Sequence, residues 1–295
     1  MARTRRIKAE GEAFYHVTSR ITGKQFLLKS PRIKKLMLAA LQRAARFSGV
    51  NIGSFCIMDD HFHLLLHIPS FDVGTLPDSV LLERIEILSG KKRADRLHDR
   101  WEAQMSHGET FLVEEEKNRW RRRMYDLSEF IKTFKEEFRR AFQREYDYSG
   151  RLWGDRFFST LIGSSAYLMR GAAYVEMNPV RAGMVTQASQ YEWNSSGLAA
   201  RGDAFARACR EWLLTFAGVG DAGESSLQGT WLRKRWPQIS KGKILGNVDF
   251  VMHTVEKNKN KLFSRSLRPR MVVEGMFASH GYRLEARQNK AKKTA

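Results

Sequence analysis

The sequence is poor in several features that would each point to a class of protein. Only two of its 295 residues are cysteine, Cys56 and Cys209, which gives neither a disulfide framework nor a thiolate zinc site. No apolar run approaches the length of a membrane-spanning helix, and the N-terminus has no signal-peptide core. We also find no internal repeat. These absences predict a protein of a reducing, cytoplasmic compartment without a membrane partner.

Acidic residues are also few beside the basic ones. The chain has 51 lysines and arginines against 32 aspartates and glutamates, which gives a formal net charge of +19. A charge of this size implies repeated contact with a polyanion, and nucleic acid is the leading candidate. Arg3, Arg5 and Arg6 lie in a basic N-terminal arm, residues 1–10, that suits contacts with phosphate. We therefore expect a nucleoid-associated protein.

Hydrophobic periodicity organises the rest of the chain. Between residues 70 and 123 the character of the sequence changes, and we interpret this stretch as a helical insertion. From residue 201 to 295 we expect a helical, basic C-terminal region. Elsewhere strands and helices alternate: strand patterns cover 13–20, 50–58, 62–68 and 157–163, and helix patterns cover 32–47, a stretch from 125 to about 148, and 165–178.

Two histidines stand at alternate positions in the run HFHLLLHI (61–68). Successive strand side chains point to opposite faces, so His61 and His63 project one way and Phe62 the other. Two neutral imidazoles on one face can share a divalent metal ion, with an oxygen ligand completing the site from elsewhere. The alternative interpretation is a partly exposed strand that happens to carry histidines.

Tyr174 and Asn178 are candidates to complete such a site. They are four residues apart at the end of one predicted helix, which must stop near Asn178 because Pro179 follows. Asn178 can supply the oxygen ligand, which brings the Tyr174 hydroxyl close to the metal. Attack by that hydroxyl on a metal-polarised phosphodiester yields a covalent phosphotyrosine and a free 3′-hydroxyl, which can later rejoin the strand. Taken alone, each residue also fits a purely structural role.

Four motifs in order carry a resemblance to a known family. They are FYHVTSR (14–20), MDDHFHLL (58–65), WGDRF (153–157) and YVEMNPVRAG (174–183), and they span about residues 10–195. Together they resemble the REP-associated tyrosine transposases, which belong to the HUH single-tyrosine transposases, where U is a hydrophobic residue. The ordered set is far more specific than any single motif.

The resemblance implies a fold, a cofactor and a substrate. The implied fold is α+β, a ferredoxin-like core whose antiparallel sheet is flanked by helices, in a catalytic domain over residues 11–200. His61, His63 and Asn178 would bind a divalent metal, Mg²⁺ or Mn²⁺, and Tyr174 would be the nucleophile. The substrate would be single-stranded DNA near small hairpins in REP-like repeats. The sequence leaves open a monomer or a homodimer.

The chain departs from the family at one position beside the site. Relatives more often have Asn before the first histidine, where this chain has Asp60, and a carboxylate there can tighten the metal or orient a histidine. Arg156 and Arg181 suit bidentate contacts with phosphate, and Trp153 suits stacking on an unpaired base. Either arginine also fits a solvated surface position.

Two other functions remain compatible with these residues. One is a DNA- or RNA-binding regulator that keeps the transposase fold but does not cleave. The other is a metal-dependent hydrolase that acts through an activated water molecule. Of the three functions, only the strand transferase requires Tyr174 as a nucleophile.

Overall fold

The computed structural model describes residues 7–9, 11–163, 165–218, 242–258, 269–273 and 276–280. Arg3, Arg5 and Arg6 of the basic arm, and the basic residues after 280, lie outside these described residues. Across the described ranges, we find no helix with both the length and the apolar character that crossing a membrane requires.

Seven strands form one sheet in the order β2-β3-β1-β4-β5-β7-β6. The strands are β1 (Ala13–Arg20), β2 (Asn51–Ile57), β3 (His61–Ile68), β4 (Phe158–Ile162), β5 (Gly242–Gly246), β6 (Pro269–Val273) and β7 (Met276–His280). The α-helices of the described ranges are α1 (Pro31–Ser48), α2 (Asp78–Ser89), α3 (Lys91–Ser106), α4 (Thr110–Arg121), α5 (Leu127–Tyr146), α6 (Ser165–Glu176), α7 (Asn178–Arg181), α8 (Ser195–Ala200), α9 (Ala204–Ala217) and α10 (Val248–Lys257).

The first four strands and two of the helices make a ferredoxin-like core. β1, α1, β2, β3, α5 and β4 follow one another as βαββαβ, and the four strands pair antiparallel in the order β2-β3-β1-β4. α1 and α5 pack against each other. The predicted α+β fold with an antiparallel sheet flanked by helices is confirmed.

Helix α5 shows why this layer forms where the sequence predicts it. The Asp126 side chain accepts hydrogen bonds from the backbone N–H groups of Ser128 and Glu129, which caps the helix. Phe130, Phe134, Phe138 and Phe142 recur at helical spacing, and all four are buried. The aromatic stripe is therefore core, and it covers one face of the sheet.

Helices α6 and α9 cover the opposite face of the same sheet, where they pack against β2. Small residues allow α6 to lie close to the sheet. A Cβ added at Gly171 would lie 3.2 Å from side-chain atoms of both Leu65 and Ile162, which is tighter than ordinary packing. Strand β3 is thus buried on both faces between two helical layers.

The insertion after β3 is helical, as predicted, and consists of α2, α3 and α4. Its helices enclose a second apolar cluster centred on the buried Trp101, with Leu81, Ile85 and Val113 around it. Phe47, at the end of α1, joins this cluster and fixes the insertion to the core.

The expected helical C-terminal region also contains strands, which the sequence analysis did not predict. α9 and α10 are helices, but β5 pairs parallel with β4, and β7 and β6 extend the sheet beyond it. Each of these strands has five residues. β5 joins the sheet by pairing with β4, a strand far away in the chain, and no local pattern encodes that pairing.

Candidate functional site

Strand β3 places His61 and His63 on the sheet face covered by α6. The alternate residues point the other way, and the Phe62 ring packs against the rings of Phe134 and Trp153 at centroid distances of 5.1 and 5.7 Å. The apolar side of the strand therefore fixes which way the histidines face.

The turn before β3 is held by a buried lysine. The Lys34 ammonium group contacts Asp59 Oδ1 at 2.6 Å and donates to the Tyr191 hydroxyl at 2.8 Å. Tyr191 in turn donates to the carbonyl oxygen of Ile57 at 2.8 Å. Asp59 therefore stabilises the turn, whereas the neighbouring Asp60 contacts His61.

Asp60 orients His61. One carboxylate oxygen makes a short hydrogen bond with His61 Nδ1, and the other lies 3.4 Å from the Arg20 guanidinium. Because a carboxylate only accepts, Nδ1 of His61 carries the proton and Nε2 keeps its lone pair. Of the two roles open for Asp60, the geometry shows the orienting one.

His63 has a different partner, which sequence reasoning missed. His63 Nδ1 lies 2.9 Å from Nε2 of His16, a fully buried residue of β1. The two rings are nearly parallel, with centroids 5.1 Å apart and an angle of 8° between their planes. His16 was visible in the FYHVTSR motif, but only the pairing of β1 with β3 brings it to His63.

Burial keeps these three imidazoles neutral near pH 7. It lowers the pKa of His16 to about 3 and, together with repulsion from His16 and His61, lowers the pKa of His63 well below the ordinary value of 6.5. Burial also lowers the pKa of His61, although Asp60 acts in the opposite direction. Neutral imidazole is the form that binds a metal ion.

The end of α6 brings Tyr174 to the histidines. The Tyr174 ring meets the rings of His16 and His63 edge to face, at centroid distances of 5.3 and 5.8 Å. The Arg181 guanidinium lies over the Tyr174 ring, 4.6 Å from its centroid. Tyr174 is only 3% exposed, so its ring is held firmly.

Asn178 has helical backbone geometry although a proline follows it. α6 ends at Glu176, and Asn178 begins the short helix α7, whose first turn accepts Pro179 because that turn needs no backbone N–H. The Asn178 amide nitrogen donates to the carbonyl oxygens of Tyr174 at 2.7 Å and Val175 at 3.3 Å. Both partners are acceptors, so the nitrogen is assigned and Oδ1 remains as an acceptor.

These four side chains meet at one cavity. It has a volume of about 770 Å³, and His61, His63, Tyr174 and Asn178 all line it. The sequence placed them in two segments more than 100 residues apart, and the structure brings them together. Their catalytic and metal-binding roles remain proposals.

Basic side chains surround the same cavity. Arg156 and Arg181, both predicted to bind DNA, line it, and so do Arg20 and Lys24, which sequence reasoning did not single out. Asp155 also lines it, and Asp60 lies beside it. The excess of cations gives the cavity a positive field that suits a phosphodiester.

Trp153, predicted to stack on DNA, does not line this cavity. Its ring packs against Phe62 and Phe138, and its indole N–H donates to the carbonyl oxygen of Lys135 at 3.2 Å. The Lys135 ammonium group lies 4.6 Å from the ring centroid. The structure therefore gives Trp153 a packing role between β3 and α5.

The residues present suit a divalent cation. Within the described part of the chain no group of three or more His, Cys, Asp or Glu side chains could hold a metal. The sequence-predicted donor set, Nε2 of His61, Nε2 of His63 and Oδ1 of Asn178, stays a prediction. The two ring centroids are 4.9 Å apart, and each Nδ1 already has a partner, which is the usual arrangement for metal-binding histidines.

A buried ion pair fixes the helix end that carries Tyr174. Glu176 Oε1 lies 2.6 Å from the Arg210 guanidinium of α9 and accepts a hydrogen bond from the Ser195 hydroxyl at 2.7 Å. The Glu176 carbonyl oxygen accepts from the Asn194 amide at 3.0 Å. α6, α8 and α9 are joined at this point, two residues from Tyr174.

No protein-family model matches the chain, and no curated protein matches it. Among solved structures, it is similar to a REP-associated tyrosine transposase bound to a REP hairpin, with 16% sequence identity and a TM-score of 0.43. The match covers 68% of this chain and 87% of that chain. The fold assignment here rests on strand order, and the site rests on its own geometry.

We predict that Arg210→Met lowers the free energy of unfolding by about 3–5 kcal/mol, because Glu176 is left buried without its charged partner. Arg207→Met on the same helix is the matched control, since Arg207 is exposed, and it should cost less than about 1 kcal/mol. Urea denaturation followed by circular dichroism measures both. Equal losses for the two variants would show that the pair does not stabilise the helix end.

Proposed function

We propose that this protein is a divalent-metal-dependent endonuclease and strand transferase that acts on single-stranded DNA. The observation that carries the proposal is the convergence of His61, His63, Tyr174 and Asn178 on one cavity surrounded by basic side chains. The ordered motifs that resemble the HUH single-tyrosine transposases support it independently. They also suggest that the DNA contains hairpins, as REP-like repeats do.

The chain's own residues account for the chemistry of the first step. Arg156 and Arg181 hold the phosphodiester, and the cavity walls orient it toward the Tyr174 hydroxyl. A divalent cation bound by His61, His63 and Asn178 would polarise the phosphoryl oxygens and stabilise the developing charge. The bond from Tyr174 oxygen to phosphorus forms as the bond from phosphorus to the 3′-oxygen breaks. The tyrosine proton leaves and the 3′-oxygen takes up a proton.

The second step reverses the first, with the 3′-hydroxyl of either the same DNA strand or a new one. A 3′-hydroxyl attacks the phosphorus of the 5′-phosphotyrosine, and the bond to Tyr174 breaks. No nucleotide cofactor is consumed, because the energy of the phosphodiester is kept in the covalent intermediate. This step distinguishes a strand transferase from a hydrolase, in which water would be the attacking group.

We expect Tyr174→Phe to abolish the covalent adduct, because the substitution removes only the attacking oxygen. Wild type incubated with Mn²⁺ and a hairpin-flanked oligonucleotide should give a slower-migrating protein band on a denaturing gel, and chelation by EDTA should prevent it. Tyr167→Phe is the control, since Tyr167 lies on the same helix but does not line the cavity.

The gel, together with fluorescence anisotropy to measure DNA binding, separates the three candidate functions. Cleavage by Tyr174→Phe as fast as by wild type would identify a hydrolase that uses water. Tight binding by wild type without cleavage in any divalent metal would identify a regulator that keeps the fold. Only loss of both adduct and cleavage in Tyr174→Phe agrees with the proposal.

Binding should depend on salt through the cavity arginines. We expect Arg156→Gln to weaken single-stranded DNA binding and to reduce the slope of log K against log salt concentration by about 0.7, the value for one phosphate contact. Arg119→Gln is the control, because Arg119 is exposed on α4 and does not line the cavity. Fluorescence anisotropy at several salt concentrations measures the slope, and an unchanged slope for Arg156→Gln would remove that residue from the phosphate site.

A further inference from the structure

The two candidate ligand histidines are held by chemically different partners. Nδ1 of His61 faces the carboxylate of Asp60, which can only accept a hydrogen bond. Nδ1 of His63 faces Nε2 of His16, and a neutral imidazole nitrogen can either donate or accept. The proton of His61 is therefore fixed on Nδ1, whereas the proton of His63 is decided by His16.

The hydrogen bond between His63 and His16 can run in either direction, and only one direction leaves His63 able to bind a cation. If His63 Nδ1 donates to His16 Nε2, then Nε2 of His63 keeps its lone pair at the cavity. If His16 Nε2 donates to His63 Nδ1, the proton of His63 is on Nε2 and that nitrogen cannot be a ligand. Only 4% of His63 is exposed, and the residue lines the cavity. Because Nδ1 is hydrogen-bonded to His16, Nε2 is the ring nitrogen left to contact the cavity.

A histidine at position 16 has an energetic cost, which is visible at the second nitrogen of its ring, Nδ1. His16 is fully buried, and its Nδ1 is one of two buried side-chain nitrogen or oxygen atoms that lack a hydrogen-bond partner among the described residues. A buried polar atom without a partner is rare and calls for an explanation. Phenylalanine would fill a similar volume without that cost, so packing alone does not account for a histidine here.

We propose that His16 is a positioning residue for the divalent-cation site: it accepts the Nδ1 proton of His63 and so keeps His63 Nε2 unprotonated and directed into the cavity. The inference rests on the proposed function, because it concerns the cation that His61, His63 and Asn178 would bind. In the cation-bound protein both His16 and His63 carry their single proton on Nδ1. Nδ1 of His16 then carries a proton that no described residue accepts, which is the cost of this arrangement.

The test compares Mn²⁺ binding by the full-length protein and three variants, measured by isothermal titration calorimetry without DNA. His16→Phe should weaken Mn²⁺ binding about 10- to 100-fold, the usual loss when the partner of a ligand histidine is removed. His16→Gln should stay within about threefold of wild type, because its amide oxygen can occupy the place of His16 Nε2 and accept the same proton. His67→Gln is the control: His67 faces the same side of β3 but is hydrogen-bonded to Glu12 and Asn51, and it does not line the cavity.

A second measurement separates positioning from mere support of the fold. Long-range ¹H–¹⁵N NMR spectra of wild type with saturating Mg²⁺ should show His63 protonated on Nδ1 and unprotonated on Nε2. Protonation on Nε2 would overturn the inference, and so would equal Mn²⁺ affinity in His16→Phe and wild type. Equal weakening in the Phe and Gln variants would also overturn it, because a lost hydrogen-bond acceptor would not then be the cause.

The outcomes also separate this inference from the proposed function. Mn²⁺ binding by wild type that His16→Phe leaves unchanged removes the role of His16 and leaves the proposed cation site standing. Absence of Mn²⁺ binding by wild type removes the cation site and the inference with it.

Discussion

Burial of strand β3 on both faces is the constraint on which the rest of the structure depends. On one face Phe62 and Leu64 enter the layer of α1 and α5, and on the other His61 and His63 meet α6. A shift of one residue would exchange the two sets and bury the imidazoles among phenylalanines. The apolar side of the strand, worth about 1.5–3 kcal/mol for each fully buried side chain, therefore sets the orientation of the polar side.

Three polar side chains that line the cavity each have a structural partner. Asp60 holds Nδ1 of His61, His16 holds Nδ1 of His63, and the amide nitrogen of Asn178 is bonded to carbonyl oxygens of α6. In the proposed site, the atoms left to bind a cation are Nε2 of two rings and one amide oxygen. These partners would fix the donor atoms before a cation binds, which would lower the cost of assembling the site.

Local patterns predicted the elements and most of the candidate site. The strands and helices of the ferredoxin-like core have long, regular apolar periods, and the motifs containing His61, His63, Tyr174 and Asn178 were recognisable in order. Their meeting in one cavity follows from the fold that those patterns predict.

Contacts between distant segments were not predictable in this way. His16 faces His63 only because of the register between β1 and β3, which no local pattern encodes. Arg210 finds Glu176 across 34 residues, and nothing near either residue marks the other as its partner. β5 joins the sheet only by pairing with β4, a strand far away in the chain. The packing role of Trp153 depends in the same way on contacts with Phe62 and Phe138.

The central claim is that Tyr174 forms a covalent bond to DNA at this cavity, and peptide mapping of the adduct tests it most directly. Trypsin should release residues 171–181 as one peptide that contains Tyr174 as its sole tyrosine. After reaction with Mn²⁺ and a hairpin-flanked oligonucleotide and nuclease trimming, mass spectrometry should find a nucleotide phosphate on that peptide. A nucleotide on any other peptide, or cleaved DNA with no modified peptide, would contradict the account.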